Sequence, residues 1–131
     1  RRWVFEEFSF TDKYREVALG EDKDFSLRVS KKYSLVVNPL AKLNHYHSPE
    51  MRPDKRERGE KFVIGKYLIF NNIIKKNGWE WILFYYALLG YLLIHVVGII
   101  LVDKTEWKRI AGIFSAMKNI WLGNVKRMKK T

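Results

Sequence analysis

The spacing of apolar and polar residues changes several times along the chain, and each change marks a predicted element. From Trp81 to Val102 the run WILFYYALLGYLLIHVVGIILV holds no Lys, Arg, Asp or Glu, so a helix built from it is apolar all round. At about 1.5 Å per residue this helix spans roughly 33 Å, close to the roughly 30 Å hydrocarbon thickness of a bilayer. It reads as a single membrane-crossing helix. A buried core helix is the alternative, but 131 residues leave little protein to surround such a cylinder. Trp79, Trp81, Tyr85 and Tyr86 crowd its start and Trp107 follows its end, as interfacial aromatics do.

The flanks carry helical periods. Ahead of the run, FVIGKYLIFNNIIKK, from Phe62 to Lys76, is apolar with lysines at 66, 75 and 76 and predicts an interfacial helix, with Asn77 and Gly78 breaking it from the run. Behind the run, Trp107, Ile110, Phe114, Met117, Trp121, Val125 and Met128 recur at steps of three and four among lysines and arginines. That pattern predicts a basic amphipathic helix lying in the headgroup plane, or one packed on a partner protein.

The first part of the chain is mixed. Gly20 breaks the backbone, and Glu21, Asp22 and Asp24 then fill the first turn of a predicted helix, where anions suit the dipole; Phe25, Leu27 and Val29 carry it to about Lys32. YSLVVN, Tyr33 to Asn38, is rich in strand formers and closed by Pro39. An extended Ala41 to His47 would send Ala41, Leu43, His45 and His47 to one face. A helix, a strand and a second extended piece predict part of an α/β sheet. HSPEMRPDKRERGEK mixes both charge signs with two prolines and predicts an exposed connector. The expected divisions are residues 1–60, the interfacial segment 61–80, the apolar helix 81–102 and the basic tail 103–131.

Composition narrows the chemistry. The absence of cysteine removes disulfides, thiolate metal sites and a cysteine nucleophile. A formal charge of +11 beside an apolar run points to anionic lipid headgroups rather than nucleic acid, for which no recognisable module is present. Lys and Arg balance across the run, so the positive-inside rule leaves the orientation of the tail open. The chain opens RRWVFEEF without an initiator Met, and an upstream portion is expected.

One order of residues stands out: EDKDFSLR from Glu21 to Arg28, then the YSLVVN segment, then NPLAKLNH from Asn38 to His45. It resembles the family 2 inverting glycosyltransferases of the GT-A fold, whose second half commonly reads EDxDxxxR, a strand, and PxAxxxH. FEEF, Phe5 to Phe8, is similar to that family's aromatic-acid segment, and YREVALGED leads into the acid pair in the same way. The resemblance spans about Phe5 to Asn72. It implies the C-terminal part of a GT-A catalytic domain over residues 1–60, with the nucleotide-binding half and its aspartate-x-aspartate motif absent. FNN at Phe70 to Asn72 stands where many relatives carry Arg-Asn.

The roles implied are those of sugar transfer from a nucleotide-sugar donor to a glycan or lipid-linked acceptor. Asp22 would be the base that takes the hydroxyl proton and Glu21 would position the acceptor, a carboxylate at a helix N-terminus being kept ionised. Asp24 and Arg28 would contact substrate, although an Asp24–Arg28 pair at i and i+4 is the simpler reading. His45 would complete a divalent metal site, Mn or Mg, that is incomplete in this chain, with His47 as a lesser candidate. The acid cluster would face the cytoplasm at the cell membrane, where membrane lipids are partners. His95, inside the apolar run, reads as a neutral histidine bonded to a neighbouring helix. The competing reading is a noncatalytic single-span membrane protein with a basic tail that binds lipid or a partner.

Overall fold

The computed structural model describes residues 2–14, 20–44, 53–74 and 77–125. Among them the regular elements are α1 (Val4–Glu7), α2 (Glu21–Ser30), α3 (Lys55–Ile73), α4 (Gly78–Leu101) and α5 (Trp107–Trp121), with short 3-10 turns between.

Local chemistry sets the helix ends. Asp54 is extended and its carboxylate accepts from the Glu57 amide at 2.7 Å, so DKRE acts as an N-cap and starts α3 well before Phe62. The second half of the expected connector is therefore helical. Asn77 and Glu80 close a capping box that separates α4 from α3: the Glu80 amide donates to Asn77 Oδ1 at 3.2 Å and the Asn77 amide to Glu80 Oε2 at 2.8 Å. Asp103 caps the turn Lys104–Glu106, from which α5 departs.

The contacts fix the directions. Phe62 stacks on Tyr91 and Phe70 meets Trp81 and Phe84, so α3 and α4 are antiparallel. α4 and α5 form a hairpin, which leaves α3 and α5 parallel to each other. Those two approach backbone to backbone. A Cβ added at Gly112 would overlap the carbonyl oxygen of Arg56, and one added at Gly59 would overlap that of Arg109. Behind this contact, Val63, Ile64 and Leu68 bury against Ile113, Ala116 and Val125, and Glu60 Oε1 accepts from Ser115 at 3.2 Å and Asn119 at 3.0 Å.

α4 is long and apolar enough to cross a membrane by length and composition. Leu88 is its buried residue, while Ile82, Tyr86, Leu89, Leu93, Val97 and Ile100 are exposed along one side.

The α/β expectation, and with it the GT-A domain over residues 1–60, is overturned: the described residues are helical and hold no strand. Tyr33–Asn38 has no ladder partner among the described residues, and Val36 and Val37 are 87% and 89% exposed. Strand formers make a strand only against a neighbour that satisfies their backbone groups. Pro39 does close the segment, in a turn where the Ala41 amide donates to Asn38 O at 3.2 Å. Ala41 to Asn44 is irregular, and His45 and His47 lie outside the described residues.

The packing predicts a contrast. Gly112→Leu should destabilise the chain by about 3 kcal/mol through overpacking at the α3–α5 contact. Gly90→Ala, with no neighbouring atom near its added Cβ, should be neutral or stabilising by up to about 1 kcal/mol. Denaturant titration followed by helical circular dichroism measures both.

Candidate functional site

The three acids that open α2 face different environments because a helix turns about 100° per residue. Asp24 points inward and is 2% exposed. Its Oδ1 accepts from the Tyr14 hydroxyl at 2.9 Å and its Oδ2 from Arg28 Nε at 2.8 Å, and Arg28 Nη2 reaches the Ser9 carbonyl at 2.8 Å. Tyr14 is itself buried among Val63, Ile64, Leu68 and Ile69, so this chain of bonds ties the N-terminal segment and α2 to the core. Burial first, then the bond to the Asp24 carboxylate, push the Tyr14 hydroxyl up to about 12. Lys31 Nζ adds a bond to the last carbonyl of α3, Ile73, at 3.1 Å. Asp24 and Arg28, expected to contact substrate, bind each other at i and i+4.

Asp22 points outward. Gly20 enters the helix at φ +106°, a conformation suited to glycine, and a Cβ added there would meet Ile69 Cδ1 at 3.0 Å and Tyr14 Cε1 at 3.7 Å. That contact sets the head of α2 on the side of α3. The exposed Asp22 carboxylate accepts from the Lys23 amide at 2.7 Å and lines a pocket of about 210 Å³ with Lys23, Phe62, Gly65, Lys66 and Ile69. Lys66 lies 5.2 Å from the Phe62 ring centroid, and burial first, then the neighbouring Lys23, hold its ammonium below the ordinary lysine value. Glu21 is half-buried, with Oε2 enclosed and without a hydrogen-bond partner among the described residues. The two lysines make the pocket locally positive, a feature the acid motif alone does not reveal.

The implied metal is tested by the donor set. Among the described residues no three His, Cys, Asp or Glu side chains come together as a cation site, and Asp24 is committed to Tyr14 and Arg28. Glu21 and Asp22 alone do not fit a divalent ion, and His45, the expected ligand, is outside the described residues.

A second polar cluster stands where α4 turns into α5. Glu106 is paired with Lys55 at 2.7 Å and with Arg109 at 3.1 Å, and Lys55 also binds Asp103. His95 Nδ1 lies 2.9 Å from Glu106 Oε2, with its ring edge-on to Tyr91. The partner of His95 is thus a carboxylate on the turn after its own helix, not a group on a neighbouring one. Asp103 and Glu106 are held below the usual carboxylate range, in both cases chiefly by the Lys55 bond, and Lys55 is raised chiefly by Asp103. The cluster clamps the start of α3 to the α4–α5 turn. No local pattern announces it, because Lys55 and Asp103 meet only in the folded chain.

Removing the Tyr14 hydroxyl as Tyr14→Phe takes one donor from a buried carboxylate and should cost about 1–3 kcal/mol in a denaturant titration. The clamp gives a pH signature. Lowered carboxylate values contribute stability above the ordinary carboxylate range near pH 4, lost as pH falls below it; the raised Lys55 contributes fully below its ordinary value near 10.4, lost as pH rises beyond it. The stability difference between the wild-type chain and Lys55→Met should therefore be constant from about pH 5 to pH 10 and shrink on acidification to pH 3. A difference that stays constant down to pH 3 would exclude the clamp as its source. Compared with protein-family models, with curated proteins and with solved structures, the chain matches none.

Proposed function

We propose that this chain takes part in sugar transfer at a membrane, from a nucleotide-sugar donor to a hydroxyl of a glycan or lipid-linked acceptor, on the cytoplasmic side of the cell membrane. The observation that carries the reading is the division of labour within EDKD: Asp24 is sealed into the fold, whereas Asp22 is exposed on a positively charged pocket. The order of EDKDFSLR and NPLAKLNH supports the same chemistry by resemblance.

Asp22 accepts the proton of the acceptor hydroxyl as that oxygen attacks the anomeric carbon and the bond to the donor diphosphate breaks. Glu21 positions the acceptor. Lys23 and Lys66 offset the negative charge that develops on the leaving phosphate. The nucleotide is held by residues beyond those described.

A second reading, a noncatalytic membrane module, is favoured by the uncovered apolar side of α4. One experiment separates the two. In the full-length protein, Asp22→Asn should lower transfer by about 10²–10⁴-fold, the usual contribution of a general base, with donor affinity unchanged and Asp22→Glu recovering part of the rate. Undiminished turnover would remove Asp22 as the base, and no transfer by the unsubstituted full-length protein would leave the noncatalytic reading.

A further inference from the structure

We propose that α4 lies along the membrane surface, with its exposed side in the acyl layer of an anionic bilayer, and does not cross it. Length and composition permit a crossing, but the neighbours of its midpoint oppose one.

Leu88 stands near the middle of Gly78–Leu101. A groove of about 690 Å³ on one flank of α4 brings Lys66 of α3 to the level of Leu88, and a groove on the other flank brings Lys118 of α5 to the same level. Lys66, Phe62 and Ile69 are shared with the pocket of Asp22 and Lys23, so the head of α2 also stands beside this midpoint. An upright α4 would carry these charged groups to roughly 15 Å below the surface, the centre of the hydrocarbon. Charged side chains at that depth are costly and require partners or water. No ion pair is seen for Lys23, Lys66 or Lys118 among the described residues.

Laid flat, the same arrangement keeps Lys23, Lys66 and Lys118 out of the hydrocarbon centre. The broad exposed side of α4, which includes Ile82, Leu89, Leu93 and Ile100 and extends to Leu83 and Ile94, enters the acyl boundary, while the opposite side, around Phe84, Leu88 and Tyr91, rests on α3 and α5. A helix in the plane can then be apolar all round, because the side turned from the lipid rests on protein. Lys66 and Lys118 then stand at headgroup depth on either side of the ridge, and the formal charge of +11 matches an anionic surface. Trp79, Trp107 and Trp121, at 65%, 57% and 84% exposure, are placed to sit in the same interfacial layer. The charge flanking the ridge selects a lipid surface over a second copy of this equally basic chain, whose lysines would meet like charge.

The absence of cysteine makes the test direct. Ile82→Cys, Leu89→Cys and Ile100→Cys, each made singly and carrying a nitroxide label, are bound to vesicles of phosphatidylglycerol and phosphatidylcholine, and label depth is read from oxygen and nickel-chelate accessibility. The three labels should lie at one shallow depth, within about 10 Å of the phosphates. Leu89 near the bilayer centre with Ile82 and Ile100 near opposite surfaces would overturn the proposal in favour of a crossing. Labels that report the same environment with and without vesicles would overturn it in favour of cover by protein. Leu93→Cys and Val97→Cys, on the same side, replace any variant that loses its helical circular dichroism. Depth is read without reference to turnover, so the result is independent of whether Asp22 is a base.

Discussion

The close contact of α3 and α5 governs the rest of the molecule. Gly59 and Gly112 leave each helix without a side chain where the other's carbonyl oxygen passes, so the two backbones meet. Helices normally hold each other 8–10 Å apart through their side chains. Here the space that a third helix needs to enter between them is gone. α4, the most apolar element, is pushed to the outside, where it touches both neighbours through one side, around Phe84, Leu88 and Tyr91, and keeps a full-length apolar side free. The most apolar segment is therefore not the core; the core is made by the modest apolar content of α3 and α5, with Val63, Ile64, Ile113 and Ala116 at its centre. Lys55 and its carboxylates reinforce this arrangement at one end and Glu60 with Ser115 and Asn119 within it.

What the sequence makes legible is what is local. The acidic turn after Gly20 and the Asn77–Glu80 box mark the starts of α2 and α4 because capping depends on residues within one turn of each other. The start of α3 was equally local, in Asp54 and Glu57, but the prolines and mixed charges of the connector hid it. In α5 the apolar stripe was found and its complement missed. Of the expected stripe, Trp107, Phe114 and Trp121 are exposed, whereas Met117 and Val125 pack into the core; the side against α3 is Gly112, Ile113 and Ala116, of which the glycine and alanine carry little periodic signal. Tyr33–Asn38 failed for a non-local reason: its composition suits a strand, but strand formation is a property of two segments, and the described chain supplies one.

The candidate site shows the same division. EDKD reads as three equivalent acids until helical phase separates them. Positions 21, 24 and 28 share the side that faces Tyr14 and the core, so Asp24 and Arg28 become structural, and position 22 falls on the opposite side with Lys23. That separation was not available from the 3.6-residue period alone, because an inward face set by Phe25 and Val29 lies closer in phase to Asp22 than to Asp24; the bond from Tyr14 decides it. The lysine that completes the pocket was not available either, because Lys66 belongs to another helix and reaches Asp22's neighbourhood through the seating of Gly20 against Ile69.

The same residues also join the site to the apolar groove of α4. Phe62, Lys66 and Ile69 recur at the spacing of one helix side, and that side of α3 borders the apolar groove of α4 on one edge and the pocket of Asp22 on the other. A ligand with an apolar chain and a polar head would follow one uninterrupted surface from the acyl layer to the carboxylate. Were α4 upright, that surface would begin and end in hydrocarbon, where a carboxylate is driven toward its protonated form and is useless as a base. With α4 flat, the chain stays in lipid while the head meets Lys66 and Asp22 in the hydrated headgroup layer. On the proposed reading, the exclusion of α4 from the core would do two things at once: supply the face that holds the protein on the bilayer, and fix the height at which Asp22 would work.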